Sequence, residues 1–133
     1  MTANVAVNDL NDGGTIIFNT SVSNVKGMPG VSVYASSKAA LRSVVRALAV
    51  ELAPRNIRVN AVSPGPIETP IWTKTNLTEE EISRLAAGFS RQVALGRFGQ
   101  GSEIAKTVLF LASSDASFIT ATEVPVDGGM AQV

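Results

Sequence analysis

The chain has 133 residues, 45% hydrophobic and 17% charged, with eleven basic side chains balancing eleven acidic ones. That balance suits one soluble domain with its own core, and gives no net field to draw nucleic acid or anionic lipid, so neither is expected as a partner. With no Cys and no His, the sequence excludes disulfides, a cysteine nucleophile, a Ser-His-Asp triad and an ordinary zinc site, and no metal is expected.

The N-terminal stretch "MTANVAVNDLNDGG" lacks the basic start and apolar core of a signal peptide, and no apolar run is long enough to cross a bilayer. No membrane partner is expected, and a cytoplasmic location is. After the turn signal Asp12-Gly13-Gly14, residues 15–20, "TIIFNT", read as a short strand. Ile16, Ile17 and Phe18 are apolar in succession, as in a strand covered on both faces.

From Tyr34 the period changes. Leu41, Val44, Val45, Leu48, Ala49 and Leu52 recur at helical spacing until Pro54 stops the run. A strand is predicted over residues 57–62, followed by the breaker cluster "SPGP". Thr78 and Glu81 then form a capping box for a further helix, with Leu77 and Ile82 placed for a hydrophobic staple. Ser102 is the expected cap of another helix, whose inner face carries Ile104, Val108, Leu111 and Ala112. "TEVPVDGG" reads as a last strand, at a sheet edge because Pro125 cannot donate to a ladder. Strand, helix, strand, helices, strand implies an α/β fold: a partial Rossmann-like parallel sheet of about three strands with helices on its faces.

The chemistry concentrates at the carboxyl ends of these strands, where α/β sheets bind ligands. Tyr34 and Lys38 stand four apart, on one helix face. An ammonium beside a phenol stabilises the phenolate, and such a pair can give or take a proton at a carbonyl or alcohol oxygen. Ser21 ends the preceding strand, and residues 63–69, "SPGPIET", end the next. Each signal alone is weak, but all of them point to one crevice.

Taken together, "GGTIIFNTSVSNVKGMPGVSVYASSKAALRS", "IRVNAVSPGPIETP" and "ITATEVPVDGG" resemble the C-terminal half of a short-chain dehydrogenase/reductase, in order, from about Asn11 to the end. The resemblance implies an NAD(P)-dependent oxidoreductase acting on a small carbonyl or alcohol substrate. It also implies the roles. Tyr34 exchanges the proton with the substrate oxygen, Ser21 polarises that oxygen, and Lys38 supports the phenolate and holds the nicotinamide ribose. Tyr34, Lys38, Pro64, Gly65, Ile67 and Thr69 would line the cofactor, NAD or NADP, and the helix from Thr78 would belong to a substrate lid spanning residues 68–96, with Trp72, Leu77, Leu85 and Phe89. A 3-oxoacyl reductase and a sugar or polyol dehydrogenase fit the sequence equally.

The departures matter as much. Residues 1–133 are expected to form one α/β unit without the dinucleotide-binding half. No glycine-rich turn follows a strand, and Asn4, Asn8 and Asn11 lie too close to the first strand to supply the family's upstream asparagine. The residue that would choose between NAD and NADP is missing, and Ala121 stands where glycine is usual. A first strand left with an open edge invites another chain. Ser36, Ala40, Ser43, Ala47 and Val50, a line of small residues on the long helix, would let a second helix approach. An alternative reading is therefore a non-catalytic half-domain, forming a homo-oligomer or associating with a complementing chain of the same family. A serine hydrolase with a lysine base does not fit: Ala35 stands three residues before Lys38, and no G-x-S-x-G occurs.

Overall fold

A computed structural model describes residues 9–70 and 78–133. Three parallel strands form the sheet: β1 (Thr15–Asn19), β2 (Arg58–Pro64) and β5 (Glu123–Val126), in the order β1-β2-β5. The central strand β2 runs two residues further than the predicted strand, through Ser63 and Pro64. Pro125 lies on the edge strand, opposite Ser63.

Alternation along β2 assigns its faces. Val59 and Ala61 meet α1 (Ser32–Leu52) in a cluster with Val45, Ala49, Leu52 and Ile57, against which Ile16 and Phe18 pack. Val62 faces the other way, to Leu111, Ile104 and Val108 of α3 (Gly101–Ala112), together with Ile17 and Val124. The apolar run in β1 is thus covered on both faces. Two residues expected on inner helix faces point outward instead: Val44 and Ala112 are exposed.

The helix ends follow local chemistry. After α1 a 3₁₀ turn holds Pro54, and Asn56 closes it at φ 54°, a left-handed conformation that asparagine tolerates. Thr78 caps α2 (Glu79–Ser90): its N–H donates to Glu81 Oε2 at 2.8 Å and Glu81 N–H returns the bond to Thr78 Oγ1 at 3.3 Å. The Thr78 N–H and, at 3.0 Å, the Thr78 hydroxyl both donate to Glu81 Oε2, which holds the Glu81 carboxyl below its ordinary range. The predicted staple partner Leu77 lies outside the described residues. Ser102 is not the cap of α3; it lies inside the helix, and Gln100 takes the cap position, its N–H donating to Glu103 Oε2 at 2.7 Å. The cause is a pairing too short to give a sequence period, β3 (Ile67–Glu68) with β4 (Gly99–Gln100), which starts the helix earlier.

Asn60, fully buried on β2, is satisfied: it donates to Ile119 O at 2.9 Å and accepts from Thr122 N–H at 3.2 Å. It fixes the turn before β5, where Ala121 donates to Val59 O and adopts φ 61°. That is the conformation in which glycine would be unstrained.

Candidate active site

The carboxyl ends of β1 and β2 lie side by side, joined past the last ladder pair by Thr20 N–H donating to Val62 O at 2.9 Å. There the chain turns into a 3₁₀ segment, Val22–Asn24, with extended Ser21 as its N-cap. Ser21 Oγ accepts from Ser23 N–H at 3.2 Å and from the Ser23 hydroxyl at 3.0 Å. With both acceptor positions filled, its own hydroxyl hydrogen is the group available to a ligand. Sequence reading missed Ser23; the spacing that would have revealed it is the hydroxyl two residues on, a short-range capping pattern.

Tyr34 sits in the first turn of α1, half exposed, and Lys38 one turn later. Lys38 Nζ donates to Asn19 O at 2.9 Å and lies 5.6 Å from the Tyr34 ring centroid. The ammonium therefore ties the helix to the end of β1, and its two other N–H bonds remain for a ligand.

The third wall follows β2. Gly65 N–H donates to Val126 O at 3.1 Å, and a Cβ at Gly65 would stand 2.7 Å from Asp127 Cα. Only glycine lets the chain pass so close to β5. Ser21, Tyr34, Lys38, Pro64, Gly65, Ile67 and Thr69, the residues singled out in the sequence, all line one cleft of about 510 Å³.

A second cavity of about 160 Å³ adjoins it, sharing Ser21, Pro64, Gly65 and Ile67. Its far wall includes Met130, which the "VDGGM" turn sets in place. Asp127 accepts from Gly129 N–H at 2.9 Å and Ala131 N–H at 2.8 Å, a turn that drives Met130 inward to 1% exposure against Val22 and Val93. Gly128 has φ 61°, and a Cβ there would strike Val93 at 2.6 Å. Lys26 Nζ holds the turn by donating to Met130 O at 2.8 Å. Phe89 of α2 meets Phe98 edge-on at 6.5 Å to close the side. Beyond the cavity, Arg97 and Glu103 pair at 2.8 Å, which raises the guanidinium and, with the Gln100 N–H, lowers the carboxyl to about 2. No cluster of metal-ligating side chains occurs among the described residues. No helix among them is long and apolar enough to cross a membrane.

Residues 1–131 match the family model described as enoyl-(acyl carrier protein) reductase. The chain belongs to the short-chain dehydrogenase/reductase family. A 3-oxoacyl-[acyl-carrier-protein] reductase of Thermotoga maritima is 43% identical over 119 residues, 88% of this chain and 45% of that protein. A short-chain dehydrogenase/reductase from Serratia marcescens superposes with a TM-score of 0.85 at 35% identity, covering 97% of this chain and 50% of that one. A blue fluorescent protein from a metagenomic library, solved in complex with NADPH, superposes at 0.83 and 36% identity, over 96% and 49% of the respective chains. The chain thus spans about half the length of the short-chain dehydrogenase/reductase relatives it matches. Within this family, oxidoreduction with a nicotinamide cofactor is the general chemistry.

Proposed function

We propose that this chain supplies the substrate and nicotinamide side of an NAD(P)-dependent oxidoreductase site. The observation that carries the reading is the single cleft in which Ser21, Tyr34 and Lys38 face the 64–69 segment. The cleft fits the cofactor's nicotinamide ribose on two counts: room of about 510 Å³, and an ammonium anchored through one N–H with two more to offer. Pro64, Gly65, Ile67 and Thr69 would flank the ring. The nicotinamide, when bound, supplies or accepts the hydride at the substrate carbon. In reduction, Ser21 donates a hydrogen bond to the carbonyl oxygen, and Tyr34 passes its phenolic proton to that oxygen as the alcohol forms. In oxidation, the Tyr34 phenolate takes the alcohol's proton, with Lys38 stabilising the phenolate charge throughout.

The test is a titration of the purified chain with NADH and NADPH, following nicotinamide fluorescence and oligomer size together, then turnover with a ketone. Saturable binding at micromolar cofactor supports the reading. No binding up to millimolar cofactor overturns it for this chain alone. Where turnover is found, alone or with a complementing half, Tyr34→Phe should abolish it while leaving cofactor affinity near its starting value, because the ring stays and only the proton donor goes. Undiminished turnover would remove Tyr34 from the chemistry.

A second reading, an assembly module, is favoured by one surface. Ser36, Ala40, Ser43, Ala47 and Val50 are all exposed along α1, Val50 at 75%, and among the described residues the outer edge of β1 is unpaired. Ala47→Arg on that face should lower the oligomer mass in light scattering; an unchanged mass sinks this reading.

A further inference from the structure

The cavity beside Ser21 carries information about the substrate. It measures about 160 Å³, and its walls are Val22, Met28, Ile67, Phe89, Phe98 and Met130 with two prolines and Gly65. Among the described residues, Ser21 is the one lining residue whose side chain holds an oxygen or nitrogen, and it stands at the boundary with the Tyr34–Lys38 cleft. An apolar protein cavity of about 150 Å³ accepts benzene, so this one takes a group of about six carbons.

We infer that the substrate is a ketone or secondary alcohol whose non-reacting group is a compact hydrocarbon of about six carbons, seated between Met28 and Met130. This rests on the reading that Ser21 binds the reacting oxygen. Geometry then divides the ligand: its oxygen meets the Ser21 hydroxyl, whose acceptor positions are taken by Ser23, and its hydrocarbon part fills the cavity. A polyol or sugar placed the same way would set several hydroxyls against methyl and phenyl groups, with Ser21 the one side-chain partner among the described lining residues. The walls are also firmly set. Met130 is held by the Asp127 turn and the Lys26 bond, and Phe89 and Phe98 lock edge to face. Methionine suits such a wall, because its unbranched, polarisable side chain adapts to rings and chains of differing shape.

The experiment uses the full chain with ¹³C-methyl methionine. The chain has three methionines, so the Met28 and Met130 methyl resonances are assigned with Met28→Ala and Met130→Leu, then followed on adding cyclohexanone, 2-octanone, acetone or xylitol, without cofactor. Cyclohexanone and 2-octanone should shift both methyls saturably, at least tenfold tighter than acetone, and xylitol should shift neither. Met28→Trp, which fills the cavity, should remove the response to cyclohexanone. If that variant does not fold by circular dichroism, Met28→Ala provides the check by moving the preference toward longer ketones. Equal shifts with xylitol, or no shift with either larger ketone, would overturn the inference. NADPH fluorescence in the same samples separates the two ideas. Ketone binding without NADPH binding keeps the hydrocarbon cavity and defeats the oxidoreductase reading for this chain alone. NADPH binding without a ketone response does the reverse.

Discussion

Arg42 and Glu123, on α1 and β5, pair at 3.2 Å across the end of the sheet, and Glu123 is the more buried, its side chain 9% exposed. The same carboxylate accepts from Thr20 Oγ1 at 2.5 Å and from Asn24 Nδ2 at 2.6 Å. One buried acid thus ties the residue before Ser21, the turn after it, and the helix one turn past Lys38. Glu123→Ala would leave Asn24 Nδ2 without its acceptor and Arg42 without its counter-ion, while the Thr20 hydroxyl would keep Val62 O at 2.9 Å. We expect a loss of about 2–4 kcal/mol in urea unfolding. Arg42→Ala should cost only about 1 kcal/mol, because its guanidinium is well exposed and screened by solvent. Equal losses from the two variants would show that the ion pair, and not the buried hydrogen bonds, carries the junction.

Gly65 is the floor of the cleft, and the space for its missing Cβ is already filled by Asp127. Gly65→Ala must push the 64–69 segment off β5, with Asp127 backbone rather than a flexible side chain in the way. The expected cost is about 1–3 kcal/mol. Because Gly65 lines both the cleft and the apolar cavity, ligand binding should weaken more than stability alone would explain. A variant that is as stable as the parent would show that β5 yields to the extra methyl.

How much of this was legible follows from distance along the chain. Ser21, Tyr34, Lys38 and the 64–69 segment each sit at a strand end or in a first helical turn, and parallel order alone brings such positions together. The apolar cavity was not legible, because Met28 and Met130 come from opposite ends of the chain and meet only through the Asp127 turn. The β3–β4 pairing escaped for want of length: two residues a side carry no period, so Ser102 looked like the better cap. Glu123 gave no signal either, as its partners come from three separate segments. Ala121 is the reverse case, since its sequence context raised a question of geometry that φ 61° answers.

That strain is measurable. An alanine in the left-handed region costs roughly 1–2 kcal/mol, partly offset when glycine's greater chain freedom replaces it. Ala121→Gly should therefore stabilise the chain by about 0.5–1 kcal/mol. The Ala121 N–H bond to Val59 O needs no change. Thermal unfolding should show a rise of a few degrees. A lower midpoint would mean that Ala121 contributes packing that outweighs its backbone strain.

Glu103 gives a pH dependence of defined sign. Its carboxyl is lowered from 4.5 to about 2, first by the hydrogen bond from Arg97 and then by the Gln100 N–H at the start of α3. A carboxyl with a folded value below its unfolded one stabilises in its charged form. The contribution is complete above about pH 4.5 and is lost as pH falls through 2. Carboxyl-carbon NMR should find the Glu103 midpoint near the low value, with the Gln100 amide signal changing along the same curve. Glu103→Gln should remove that part of the acid response, while Glu81, lowered by its own capping bonds, keeps titrating in α2. High salt should shift the midpoint upward, since the Arg97 pair is solvent-exposed and screened. A Glu103 midpoint close to 4.5 at low salt would mean that neither the Arg97 pair nor the Gln100 N–H bond to the carboxylate forms in solution.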